Sequence, residues 1–514
     1  MPRLFNTAGP CQPGDHYMLS SLDRAPEILP LIDEERYFVL HAARQTGKTT
    51  LLLALAKELE AGGKYRALYV TVETAHWVDE AEKGVPAVAA AMLTAMDWAS
   101  WVPKPIPSFA TIDVHQRLRE QIGWLCQHTD RPVVLLLDEL DCLGGTTRIS
   151  VLRQLRQGFV SRASQPFPQS VVLVGMRDIQ DFKAMIRPDS DTLGIASPFN
   201  DVSDSLTIRN LSRDNIETLY AQHAADTGQV FPPEVVDLVF EQTQGQPWLV
   251  NAIAREIVEK QLNRDWSRPI TVEIARAAIQ ALILRRETHL DFFIERLRED
   301  RVRKIMAPVI LGDEIVLDMI SDDVQYCIDL ELLRNDMGVI QPTCPIYAEI
   351  IARILSYSSQ CAMPLSLEHR WMSESGIDLD GLLMEFQAFW RENSEIWAPR
   401  ELYPEAAPHL ILMAFLQRVL NGGALVTREF ASGRKRMDLD LFYAGRHHPI
   451  EVKLWRGPKS LAEGKEQIAA YCASLSCQDG WLVFFDQRPG RTWDERISWE
   501  TLEIRGRRIR VVGC

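Results

Sequence analysis

Along the first two-fifths of the chain, short β-branched or leucine-rich runs alternate with longer stretches of helical periodicity. The runs at 37–41, 67–73, 133–138, 171–175 and 205–208 have strand length. Between the first two, Leu51, Leu52, Leu55, Ala56 and Leu59 share one face of a helix predicted over 48–61, and Gly62-Gly63 ends it. Strands separated by helices predict a parallel α/β sheet buried on both faces.

From 215 to 357 the pattern becomes mostly helical. Helices are predicted over 215–227, 248–262 and 322–333, with Gly245-Gln246-Pro247 as the turn before the second. Asn335-Asp336-Met337-Gly338, a short strand at 339–341 and a helix at 347–355 follow, in the order of a winged-helix module. A polar break at 356–360 precedes a helical stretch whose Trp371, Phe386, Phe389 and Trp390 read as core. The last section predicts a helix at 408–420, strands at 425–430, 436–443 and 449–454, a helix at 460–475 and a strand at 481–485. The expected division is 1–214, 215–270, 271–357, 358–400 and 401–514, since one hydrophobic core does not serve 514 residues.

Composition changes this picture little. Hydrophobic residues make 46% and charged residues 25% of the chain, the balance of a folded globular protein. Residues 1–13 lack a basic start followed by an apolar core, and no apolar run approaches the ~20 residues of a membrane span. A cytoplasmic protein without a membrane partner is the expectation. Nine cysteines stand singly, without the paired spacing of zinc ligands. The net charge of −14 argues against a chain that coats nucleic acid along its length, but 431–514 carries 15 Lys+Arg against 11 Asp+Glu. A polyanion is therefore expected at the C-terminal end.

The strand at 37–41 runs into Ala42-Ala43-Arg44-Gln45-Thr46-Gly47-Lys48-Thr49-Thr50, which apart from Ala42 is G-x-x-x-x-G-K-[ST] between a strand and a helix. Backbone N–H groups of residues 43–50 and the helix N-terminus would cradle phosphates. Lys48 would neutralise the β- and γ-phosphates, and the Thr49 hydroxyl would ligate Mg²⁺. The run Val133–Leu137 then delivers Asp138 to hold the metal shell and Glu139 to polarise the attacking water. ATP and Mg²⁺ are the expected cofactors.

Two further features make the chain resemble the AAA-like and STAND groups of P-loop ATPases. Arg177, just after the 171–175 run, matches a γ-phosphate sensor, and Gly245-Gln246-Pro247-Trp248 resembles the G-x-P signature of the STAND helical lid. The resemblance covers roughly 1–357 and implies a switch-type ATPase.

A second constellation lies near the C-terminus. Asp438 precedes Glu451-Val452-Lys453 in a D-x12-E-x-K pattern across a predicted hairpin. Residues two apart on a strand share a face, so Glu451 and Lys453 project together while Ile450, Val452 and Leu454 pack oppositely. Two carboxylates hold Mg²⁺, and a nearby Lys orients water or steadies a phosphate. With Gln467-Ile468-Ala469-Ala470-Tyr471 on the following helix, the stretch 402–485 resembles the PD-(D/E)XK nuclease superfamily and its Q-x-x-x-Y exonuclease branch. The resemblance implies an α-β-β-β-α-β core, Asp438, Glu451 and the Val452 carbonyl as metal ligands, Lys453 as catalytic lysine and Gln467 in support. Asp440 is the alternative to Asp438, and Glu405 is a candidate acid on the first helix. Arg434, Lys435, Arg436, Arg456, Lys459 and Lys465 flank the site as a phosphate track would.

The whole chain resembles bacterial and archaeal ATPases fused to a PD-(D/E)XK domain. One reading is a nucleotide-gated, Mg²⁺-dependent nuclease acting on DNA, by analogy in defence against foreign DNA. Another is a STAND-like regulator whose C-terminal domain binds nucleic acid without cleaving it. A third, a homo-oligomeric remodelling ring, needs an arginine finger, for which Arg187 is the candidate.

Overall fold

The computed structural model of the 514-residue chain describes all residues except 1, 43, 176–203, 286–292, 312–320, 337, 363–370, 374–375, 398–406, 420–424, 430–437, 456, 487 and 489. Two compact units emerge: Met1–Arg285 with Gln325–Leu333, and Arg286–Val324 with Arg334–Cys514.

In the first unit, β1 (Tyr37–His41), β2 (Arg66–Thr71), β3 (Val133–Asp138), β4 (Ser170–Gly175) and β5 (Asp204–Thr207) form a parallel sheet of order β2-β3-β4-β1-β5. Side chains alternate between its faces. Val39, Leu68, Leu135, Leu137, Val171 and Leu173 pack under α3 (Ala81–Trp98), α4 (Val114–Gln127) and α5 (Gly145–Ser161). Phe38, Leu40, Val134, Leu136, Val172 and Val174 meet α1 (Ile28–Asp33) and α2 (Lys48–Ala61) on the other face. Both faces are dry, as unbroken apolar strands require. The Gly47-Lys48-Thr49 stretch lies where β1 gives way to α2.

Helices α6 (Arg213–Thr227), α7 (Pro233–Thr243), α8 (Pro247–Arg255) and α9 (Val272–Leu284) follow. The predicted helix at 248–262 is α8 continued by a wider π-helical turn, Glu256–Gln261. Gly245 (φ 74) is required between α7 and α8, because a Cβ there would lie 1.8 Å from the Leu211 carbonyl oxygen. Gln246 then caps α8 through Leu249 N (2.7 Å), and Pro247 occupies the first turn, where its missing N–H costs nothing.

After α10 (Asp300–Leu311), α11 (Asp322–Asp329) stops four residues short of the predicted helix end, and Leu333 already belongs to a strand. The hairpin β6 (Leu333–Asp336) and β7 (Val339–Pro342) leads into α12 (Pro345–Ala362). The polar break expected at 356–360 lies inside α12. Ser and Gln there lower helix propensity only modestly and include no Gly or Pro to end the helix. A two-residue pair, β8 (Met372–Ser373) and β9 (Gly376–Ile377), precedes α13 (Leu379–Trp397).

In the second unit, α14 (Ala407–Val419), β10 (Leu425–Glu429), β11 (Asp438–Tyr443), β12 (Arg446–Leu454), α15 (Pro458–Ser474) and β13 (Asp479–Phe485) run in the predicted order. A further hairpin, β14 (Ser498–Ile504) and β15 (Arg507–Gly513), extends the sheet to β10-β11-β12-β13-β15-β14. The β12–β13 and β13–β15 pairings are parallel, and the remaining pairings are antiparallel. One face packs Leu482, Ile509 and Val511 against Ile468, Ala469 and Cys472 of α15. On the other, Phe386 and Trp390 of α13 meet Phe485, so these two aromatics are core, as expected. Helix α13 is also tied to the sheet by Gln387 Nε2, which donates to the Gly513 and Ser498 carbonyls. Among the described residues no helix is long and apolar enough to cross a membrane.

Candidate functional site

The phosphate loop is shaped by backbone conformation. Gln45 (φ 61) and Gly47 (φ 90) are left-handed, turning the chain so that α2 begins at Lys48. Ala42, where glycine is usual, is not left-handed and so carries no such strain. Its N–H donates to the Gly175 carbonyl of β4 (3.2 Å), and its own carbonyl accepts from Lys48 Nζ (2.8 Å). Lys48 is buried; burial pulls its ammonium down, while Asp141, Glu139 and Asp138 hold it up. Thr46 is fully buried, whereas Arg44 and Gln45 are exposed. Ala43 lies outside the described residues.

The acidic pair Asp138–Glu139 lies at this loop. Thr49 Oγ1 donates to Asp138 Oδ2 (3.0 Å), and Tyr69 of β2 donates to the same oxygen (3.0 Å). Burial foremost, and the Asp138 charge, push the Tyr69 phenol up, so it remains a donor. Asp138 Oδ1 accepts from Glu139 N (3.0 Å). Glu139 leaves the strand in a left-handed conformation (φ 64), and burial together with Asp138 and Asp141 raises its carboxyl pKa. A strained acid with a raised pKa at a strand end suits proton transfer. The Thr49 and Asp138 oxygens are hard donors of the kind Mg²⁺ takes. Thr50 turns elsewhere and accepts from Cys11 N (3.1 Å). The sensor candidate Arg177 and the finger candidate Arg187 lie outside the described residues.

Sequence reasoning did not find Arg24. It sits 9% exposed beneath the loop, donating through Nη1 to Thr46 O (2.7 Å) and through Nε to Arg209 O (2.8 Å). Burial pulls its guanidinium down to about 10, still cationic at neutral pH. One arginine thus joins the loop to the segment after β5. No local spacing announces it. Also missed was a cavity of about 160 Å³ beside the loop, lined by Asn6, Tyr17, Gly47, Pro247, Trp248 and Asn251 among others. Trp248 closes it by donating from Nε1 to the Thr7 carbonyl (3.0 Å).

In the second unit, Glu451 and Lys453 share a face of β12 and are 1% and 3% exposed. Lys453 Nζ lies 2.6 Å from Glu451 Oε1. Strand alternation puts this pair on one face of the sheet, and α15 covers that face. Gly464 of α15 comes so close that a Cβ there would stand 3.2 Å from Lys453 Cγ. Leu439 pairs with Ile450, so the Asp438 end of β11 lies beside Glu451. Asp440 is buried and engaged by His447 Nδ1 (2.5 Å). The Val452 carbonyl accepts from His409 Nε2 of α14 (3.2 Å), a contact no motif foretold. Gln467 is half-buried on α15, its Oε1 without a partner. Lys465 lies 3.5 Å from Glu500, and Lys459 is exposed near Glu463. Glu405, Arg434, Lys435, Arg436 and Arg456 fall outside the described residues. Among the described residues no group of three or more His, Cys, Asp and Glu side chains is close enough to hold a metal.

No protein-family model matches the chain, and no curated protein matches it. Among solved structures it is similar to the Walker-type ATPase of Pyrococcus abyssi (TM-score 0.49, 11% identity, covering 68% of this chain and 99% of that one). It is also similar to the RuvB Holliday junction branch migration motor of Thermotoga maritima (TM-score 0.34, 12% identity, 64% and 95%). A third is Cdc6p of Pyrobaculum aerophilum (TM-score 0.37, 13% identity, 69% and 97%).

Proposed function

We propose that the first unit binds and hydrolyses ATP at the Lys48 loop, and that the C-terminal sheet carries a nuclease site acting under control of the nucleotide state. The observation that carries this reading is the Thr49–Asp138 contact at 3.0 Å with Lys48 adjacent. It joins two motifs far apart in sequence into one site of the required chemistry. Lys48 and the N-terminus of α2 bind the phosphates. Tyr69 and Thr49 fix the Asp138 carboxylate, and Glu139 takes the proton of the attacking water. The cavity closed by Trp248 receives the base and ribose, so its occupant bridges the loop and the helices that follow. Mg²⁺, when bound by Thr49 and Asp138, neutralises charge on the phosphates.

The nuclease half rests on the helix–three strands–helix–strand order around Glu451 and Lys453, with Asp438 at the neighbouring strand end. Asp438, Glu451 and the Val452 carbonyl are the oxygens that would hold Mg²⁺; Lys453 orients water or phosphate, and Gln467 supports it. The substrate proposed is DNA. A specific observation favours a second reading, a C-terminal domain that binds nucleic acid without cutting: Lys453 already neutralises Glu451 in a buried pair. Labelled single- and double-stranded DNA and RNA, incubated with Mg²⁺ with and without ATP, separate the two. Cleavage by the wild type that Lys453→Ala abolishes supports the nuclease, and no cleavage of any substrate supports the binding module. Cleavage that persists in Lys48→Ala refutes nucleotide control alone.

A further inference from the structure

Helix α8 gives one face to the cavity beside the phosphate loop. Pro247, Trp248 and Asn251 line it together with Thr46 and Gly47 of the loop. Residues three and four apart on a helix are neighbours, so Asn251 stands one turn beyond the Pro247–Trp248 surface. The indole is held in place, because its Nε1 donates to the Thr7 carbonyl (3.0 Å) and Arg255 Nη1 donates to the Thr7 hydroxyl (2.6 Å). The N-terminal segment and α8 thus fix each other around the cavity.

The Asn251 amide is fixed as well. Its Nδ2 donates to the Pro247 carbonyl (2.9 Å). A carbonyl can meet only the nitrogen of an amide, which leaves Oδ1 as a pure acceptor. That oxygen is buried and has no hydrogen-bond partner among the described residues. A buried acceptor is costly to leave unmade, and an N–H or O–H of the molecule that fills the cavity would satisfy it. Two other lining groups, the hydroxyl of Ser21 (8% exposed) and Arg24 Nη2, also lack partners among the described residues. A serine hydroxyl both donates and accepts, so it does not choose between ligands. Arg24 is held against the loop by its bond to Thr46 O (2.7 Å), at the phosphate end. Selection therefore falls to Asn251.

A ribose bonded to phosphates stays beside the loop, and the base reaches past it to the flat apolar surface of Pro247 and Trp248. We propose that Asn251 selects the base: its Oδ1 accepts from the 6-amino group of adenine and opposes the 6-oxo group of guanine or hypoxanthine, which is a second acceptor. The inference rests on the reading that the Lys48 loop and this cavity hold one nucleotide. It makes Asn251 a specificity-determining residue with no part in the chemistry at Glu139.

The test titrates ATP, inosine triphosphate and 2′-deoxyATP into full-length wild type, Asn251→Leu and Asn251→Ala. ATP and inosine triphosphate differ at the 6-substituent and the N1 proton beside it, so the wild type alone already tests base selection. Wild type is expected to bind ATP at least about tenfold more tightly than inosine triphosphate. Both variants are expected to lose about tenfold for ATP and little for inosine triphosphate, bringing the ratio near one, with 2′-deoxyATP following ATP throughout. Alanine keeps helix propensity high, so a folded variant is available even where leucine does not fit. Equal wild-type affinity for ATP and inosine triphosphate overturns the proposal and leaves the phosphate site standing. A ratio that survives in the variants overturns the role of Asn251. Variants that instead erase a difference between ATP and 2′-deoxyATP place the acceptor on the ribose, which also overturns it. No binding of any nucleotide by any of the three proteins removes the nucleotide site and the base selection together.

Discussion

The phosphate loop and the Glu451–Lys453 pair both place a buried lysine among carboxylates, and they do so differently. Lys48 leans on a backbone carbonyl, 2.8 Å from Ala42 O, with Asp138 committed to Thr49 and Tyr69. Its charge is therefore offset by several groups, none of which is its sole partner. Lys453 instead sits 2.6 Å from Glu451, with both residues under α15. The first arrangement keeps a cation ready for an incoming anion; the second is closed on itself. A buried pair that is already satisfied gains least from a ligand, because the ligand must first break it.

Variants sharpen that contrast. Lys453→Ala leaves Glu451 buried without its cation and is expected to cost about 3–5 kcal/mol in denaturant unfolding, besides abolishing any cleavage. A double variant, Glu451→Leu with Lys453→Met, should recover most of that stability while cleavage stays lost. Stability recovered together with cleavage would place the nuclease site elsewhere. Lys48→Ala is expected to slow phosphate release by about 10²–10³-fold, the scale for one removed transition-state donor. Its folding should suffer less than that of Lys453→Ala, since no single partner is orphaned. Comparable losses of stability in the two would erase the distinction drawn above.

Gly245→Ala pushes a Cβ to 1.8 Å from Leu211 O and is expected to destabilise the first unit by at least about 2 kcal/mol, read from its melting transition. The smallest effect belongs to Tyr69→Phe. Removing one of two donors to Asp138 Oδ2 should weaken the Mg²⁺ dependence of ATP turnover roughly tenfold, with folding nearly unchanged.

The sequence exposes the two regions unequally. Val133–Asp138 and Tyr37–His41 are found at the boundaries their apolar runs predict, because a strand buried on both faces leaves a continuous signal. The phosphate loop is legible for the related reason that its chemistry needs consecutive backbone amides, so its residues are contiguous. Arg24 and Tyr69 are not legible. Each acts through a contact made by the fold, across 22 and 69 residues to Thr46 and Asp138. Amphipathic helices such as α3 and α5 have weaker periodicity, and their Ala- and Gly-rich or charged stretches hid them. The end of α11 was misplaced because its stop is a Glu in a left-handed turn, where the expected signal is Gly. In the C-terminal sheet, the face shared by Glu451 and Lys453 follows from strand alternation. Their burial does not, because it depends on how closely Gly464 lets α15 approach.

The central claim is that Lys48, Thr49, Asp138 and Glu139 form one hydrolytic site. The most direct measurement is ATP binding and phosphate release by the purified full-length protein in Mg²⁺, alongside Glu139→Gln and Lys48→Ala. The account predicts turnover by the wild type, binding without turnover by Glu139→Gln, and weakened binding with turnover slowed about 10²–10³-fold by Lys48→Ala. Phosphate release at the wild-type rate in either variant would contradict it.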